Sequence, residues 1–135
     1  MTPSLFAQLY AATTPILFAI DLVWLGVVAK PFYRRHLGAL MRESPRWGPA
    51  VLFYLLYVAA LLVFAVVPGI EHQSLSRAVL LGAGLGFICY ATYDLTNLAL
   101  AQGFPTIVAV VDIAWGAVLS AVVAAASYRL AGILM

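Results

Sequence analysis

Asp94 stands inside a long apolar run, and Tyr90, Tyr93 and Asn97 accompany it within one helical turn on either side. At 3.6 residues per turn, Gly86, Tyr90, Tyr93, Asp94, Asn97 and Ala101 share one helix face. Phe87, Ile88, Leu95 and Leu98 fall opposite. A carboxyl, an amide and two phenols can hold a proton, a cation or a hydrogen-bonding ligand. In hydrocarbon such a face must turn toward a bundle interior or a water-filled cavity. The other two aspartates, Asp21 and Asp112, also lie in apolar runs. Each is followed three residues on by a tryptophan, Trp24 and Trp115, on the same helix face.

These groups need helices to carry them. Apolar runs cover 4–29, 49–68, 78–101 and 106–130. Each is long enough for the ~20 residues that cross a ~30 Å hydrocarbon core. None alternates with period two, which sets spanning strands aside. Pro15 predicts a mild kink in the first run, Pro49 and Pro68-Gly69 bound the second, and Gly103 and Pro105 end the third. The expected fold is all-α: one domain over 1–135, a four-helix transmembrane bundle.

Composition agrees. The chain is 65% hydrophobic and 9% charged, with mean hydropathy +1.06, whereas soluble domains are about a quarter charged. A net charge of +2 leaves no basic footprint for nucleic acid. Cys89 is the one cysteine, so no internal disulfide forms, and its apolar setting predicts a buried, inert thiol. The N-terminus lacks the basic n-region of a cleavable signal.

The connection 30–48 differs from the other links. Lys30, Arg34, Arg35, Arg42 and Arg46 place five of the seven basic residues there. Excess basic charge marks the cytoplasmic side, so both termini are expected outside and the 102–105 turn inside. Pro31 suits a first helical turn. Phe32, Tyr33, His36, Leu37, Leu40 and Met41 recur at helical spacing, which predicts a short amphipathic helix at the interface. Lys30, Tyr33, Arg34 and Arg35 are its candidate contacts to a lipid headgroup or phosphate.

With that topology the three acids share a depth. Asp21 lies nine residues before Lys30, Asp94 eight before Gln102, and Asp112 seven after Pro105, about 10–13 Å from the same face. A central aspartate costs about 2.5–3.5 kcal/mol to insert, more than the ~0.6–2 kcal/mol an intramembrane hydrogen bond returns. Three at one depth therefore predict one functional site: Asp21, Asp94, Asp112, Tyr90, Tyr93, Asn97, Trp24 and Trp115. Tyr54 and Tyr57 open the second helix on the same side. The outward half carries small residues for close packing, Gly82, Gly84, Ala125 and Ala126, with seams through Gly82 and Gly86 and through Gly116, Ser120 and Ala124. Ser120 and Ser127 are expected to face that half.

No nucleophilic serine motif, phosphate loop or haem ligand pair is present, so no cofactor is expected. His36 lacks companion ligands, and the aspartates lack a tight metal-binding spacing, so no metal is assigned.

The chain resembles the bacterial membrane family called domain of unknown function 2177. Asp21 to Gly26, Lys30 to Gly38, Phe53 to Tyr57, Tyr90 to Asn97 and Val111 to Gly116 carry the resemblance. It implies a multi-pass inner-membrane protein and no particular activity, and it implies a lipid-linked setting for some relatives, which sit near lipid-modification enzymes.

Three function classes stay open. The leading expectation is a small proton- or cation-coupled carrier, because three neighbouring carboxyls cannot all ionise cheaply and can hold and release protons. The runner-up is a membrane-embedded enzyme on a lipid or lipid-linked substrate, with an aspartate as general acid or base. The third is a structural or accessory subunit. Expected partners are the bilayer and a lipid or small cationic ligand. Four helices enclose little volume, so at least a homodimer is expected.

The topology is testable. A reporter that is active only outside the cytoplasm should work when fused at Met135 and fail when inserted in 30–48; the reverse pattern inverts the orientation.

Overall fold

The computed structural model describes residues 1–41 and 46–135. Helix α1 spans Pro3–Val28, α3 Trp47–Glu71, α4 Leu75–Leu100 and α5 Thr106–Leu134; each is long and apolar enough to cross a membrane. Between α1 and α3 lies the short helix α2, Lys30–Leu37. The four long helices each reach somewhat beyond at least one end of the apolar runs, and two of them are capped at the N-terminus. The Thr2 hydroxyl accepts from the Leu5 N–H at 3.1 Å with Pro3 in the first turn, and Ser74 does the same for Arg77 at 3.1 Å. Helix α2 ends at Gly38, whose φ of +47° suits glycine. The interfacial segment is thus helical over Lys30–Leu37, followed by a single 3₁₀ turn at Gly38–Leu40. The expected contribution of Arg42 to it lies outside the described residues.

Pro15 sits within α1 without ending it. Two irregularities have no counterpart in the hydrophobic pattern. Trp24–Val28 and Leu62–Val66 are wound as π-helix. The second precedes Pro68, which removes a backbone donor and crowds the preceding turn. The first begins at one of the candidate site residues, where such widened turns commonly occur.

Helices α4 and α5 pack antiparallel along the most extensive interface in the molecule. A Cβ at Gly82 would stand 2.8 Å from the Ala124 methyl and from the Ser120 carbonyl oxygen. One at Gly86 would collide with the Gly116 carbonyl and the Ser120 side chain, and one at Gly116 with the Tyr90 ring. Contacts therefore step four residues at a time: Gly82 to Ala124, Gly86 to Ser120, Tyr90 to Gly116. Small residues here let the backbones approach. Gly84, by contrast, has nothing near its missing Cβ. It faces outward, correcting its assignment to a packing surface. Ala125 and Ala126 are only half-buried, and Ala124 makes the contact instead.

The half of the bundle distant from α2 is filled by Leu9, Leu17, Leu61, Leu62, Val66, Leu119 and Val123, all fully buried or nearly so. Phe87, Ile88 and Leu95 lie exposed on the outer face of α4, where hydrocarbon would meet them.

The seam gives a paired test. Gly86→Ala should lose about 1–3 kcal/mol relative to Gly84→Ala. Both gain the same helix propensity, so the difference isolates the collision. Unfolding in detergent measures it, and equal stabilities would contradict the close approach.

Candidate functional site

The polar groups gather at the α2 end of the bundle. Asp21, on α1, is buried, and both of its oxygens accept hydrogen bonds. The Tyr54 hydroxyl of α3 donates to Oδ2, and the Trp115 indole N–H of α5 donates to Oδ1 at 2.9 Å. Asp112, on α5, accepts from the Tyr33 hydroxyl of α2 at 2.9 Å. The seam places Asp94 one step beyond Tyr90 on α4, and Asp112 lies one step beyond Gly116 on α5; the two carboxyls are neighbours. Asp94 is 1% exposed, and neither of its oxygens has a hydrogen-bond partner. Two carboxyls placed together in an apolar interior cannot both carry full charge cheaply and tend to share a proton.

The repeated Asp-x-x-Trp pairs cross. Trp24 and Trp115 stack with ring centroids 4.2 Å apart and planes 7° from parallel. Trp115 reaches over to the aspartate of the other motif, Asp21. Trp24 lies beside Tyr33, which serves Asp112, but its own buried N–H has no hydrogen-bond partner. The crossing is thus one-sided, Trp115 to Asp21, while Tyr54 and Tyr33 each donate to one of the two aspartates.

A cavity of about 350 Å³ opens beside these groups. It is lined by Asp21, Leu25, Phe53, Cys89, Tyr90, Tyr93, Asp112 and Trp115. Leu25, Phe53 and Tyr93 are exposed on the outer surface, so its mouth lies on the flank of the bundle. That volume is within the ~300–1,000 Å³ of ligand pockets. Among the described residues, no three histidine, cysteine or acidic side chains come together as metal ligands.

Five of the eight residues read as one site line this cavity: Asp21, Asp112, Tyr90, Tyr93 and Trp115. Asp94 lies behind Asp112, and Trp24 backs Trp115. Asn97 does not join them: its amide donates to the Tyr93 carbonyl at 3.0 Å, within its own helix. Tyr93 is 63% exposed and forms part of the rim. Of the expected headgroup contacts, Lys30, Arg34 and Arg35 are exposed. Tyr33 is not; it is 6% exposed and turned inward onto Asp112, where an aromatic ring fits between helices and a cation does not. Burial, and then the Asp112 carboxylate, push the Tyr33 phenol well above its usual range, so it stays a neutral donor. Cys89 is half-buried and borders the cavity, contrary to a sealed thiol.

Sequence reasoning set Tyr54 on the side of the acids without naming it a site residue, and left Phe53, Leu25 and Cys89 out of the site. Two signals existed: Cys89 is four residues from Tyr93, on its face, and Tyr54 begins α3 at the depth of the acids. Leu25 and Phe53 look like ordinary lipid-facing residues in any apolar run.

Four spanning helices around a carboxyl-bearing cavity define a multi-pass α-helical membrane protein with an intramembrane polar site. The chain belongs to the family described as "Predicted membrane protein (DUF2177)", whose pattern matches residues 6–129. No curated protein and no solved structure matches it.

Tyr54→Phe should keep the fold and remove one of the two donors to Asp21, at a loss of about 1–2 kcal/mol. Melting in detergent checks this, and an unchanged melt would mean that the bond carries no net stability.

Proposed function

We propose that the protein is a small proton- or cation-coupled carrier whose exchange centre is the Asp94–Asp112 pair. The observation that carries this reading is a file of buried and half-buried polar pairs running through an otherwise apolar bundle. Below Tyr33–Asp112 come Tyr54–Asp21–Trp115, then the bond between the Tyr57 and Ser120 hydroxyls, then Thr13 to Ser127 at 2.9 Å. The partners on α5 run from Asp112 to Ser127, about 22 Å along the helix axis. Hydroxyl pairs spaced down a membrane span are costly as packing and suited to passing protons or receiving a polar ligand when helices shift.

The roles divide by satisfaction. Asp21 is held by two neutral donors, so it fixes α1, α3 and α5 relative to one another. Asp112 keeps one oxygen outside its bond to Tyr33 and borders the cavity, so it meets the ligand. Asp94, buried beside it, takes or returns the proton.

A second reading, an enzyme acting on a lipid, is favoured by the mouth on the flank together with the tightly filled distal half. There Asp112 would be the general acid or base and Asp94 its proton partner.

Asp94→Asn separates function from glue. An amide keeps the shape and is cheaper to bury than a carboxylate, so the variant should melt at or above the wild-type temperature. It cannot carry a proton, so complementation of a deletion strain should fall sharply. Full complementation by a well-folded Asp94→Asn protein would make the carboxyls structural.

A further inference from the structure

The cavity's walls select among occupants. Phe53, Tyr90, Tyr93 and Trp115 present aromatic surface, and Leu25 and Cys89 add apolar wall. Asp21 and Asp112 supply charge, and no lysine, arginine or histidine lines the space among the described residues. An anion placed there would face two carboxyls in a medium that screens poorly. A wholly apolar molecule would offer the Asp21 and Asp112 carboxyls on the cavity wall no polar contact. Behind Asp112 lies Asp94, fully buried, with no donor on either oxygen, so an acid and not a base backs the cavity wall. Aromatic faces attract cations, and most strongly where water is excluded.

We propose that the cavity binds a lipophilic organic ammonium ion, which enters sideways from the bilayer past Leu25, Phe53 and Tyr93. Its nitrogen lies at the Asp112 carboxylate, and its aliphatic or aromatic body lies against Phe53, Tyr90 and Trp115. This rests on the carrier reading and names its substrate class. Binding of one monovalent cation expels one proton from the Asp94–Asp112 pair to the water phase, so the buried net charge does not change. A bare metal cation fits less well, since no three metal-ligating side chains gather among the described residues.

Cys89 makes the occupancy readable, because it is the chain's one cysteine and it borders the cavity. The purified protein in neutral detergent is alkylated with N-ethylmaleimide in the presence of three probes of one shape. These are hexyltrimethylammonium, its uncharged carbon isostere 2,2-dimethyloctane, and the anion hexanesulfonate. Hexyltrimethylammonium should slow alkylation by about tenfold or more and release protons into weak buffer, while the other two do neither. Asp112→Asn should lose both effects. Leu25→Trp, which narrows the mouth and leaves the acids in place, should lose the protection.

Equal protection by the neutral or anionic probe overturns the ligand class, as does full protection of a folded Asp112→Asn protein. If Asp112→Asn does not fold, the three-probe comparison on the wild type decides alone. The carrier reading fails separately. Protection by the ammonium without proton release keeps the ligand class and removes the coupling. Proton release driven by the neutral or anionic probe keeps the coupling and removes the ligand class.

Discussion

The close approach of α4 and α5 is the constraint on which the site depends. Glycine at 82, 86 and 116 leaves no Cβ to hold the backbones apart, and each of these positions is filled by an atom of the opposite helix. A seam that tight has one register. Sliding by a turn would bring Tyr90 against Ser120 or Asp112 instead of the space above Gly116. The register that the small residues dictate is also the one that brings Asp94 beside Asp112. The carboxyl pair is therefore a consequence of packing that begins one turn away, and its geometry is as rigid as the seam.

The second constraint is how the remaining acids are held. A buried carboxyl in a membrane must find donors, and this fold draws them from different helices. Asp21 takes one from α3 and one from α5, and Asp112 takes one from α2. Each bond ties elements distant in sequence, so the polar groups replace part of the hydrophobic driving force that lipid withdraws from helix association. Asp94 is the exception. It is the most deeply buried of the three and has no donor. Its neighbour is the other acid, Asp112, so its burial costs more than an intramembrane hydrogen bond returns.

Helix α2 joins these two features to the membrane surface. Tyr33 points inward to Asp112 while Arg34 and Arg35 remain exposed on the other side of the same short helix. A displacement of α2 at the interface would pull directly on the carboxyl pair. The stacked indoles of Trp24 and Trp115 form the wall between this region and the α1–α5 surface, and the π-turn that begins at Trp24 leads from α1 toward α2.

Much of this was legible in residue order. Length and hydropathy gave four spans, since hydrocarbon tolerates few alternatives to a helix of that length. The distances of Asp21, Asp94 and Asp112 from the ends of their runs gave a common depth, because rise per residue is fixed. The four-residue steps Gly82, Gly86, Tyr90, Asp94 and Asp112, Gly116, Ser120, Ala124 also lie in plain sequence, though only antiparallel packing shows that one reads against the other. The tertiary structure decided what depends on neighbours. It turned Tyr33 from the headgroup region into the site, tied Asn97 back onto its own helix, and set Tyr54 against Asp21. It also opened a cavity at Leu25, Phe53 and Cys89. Periodicity assigns a residue to a face, but several faces of a helix in a small bundle touch other helices, and which partner each meets is set by crossing angles that one helix alone does not contain.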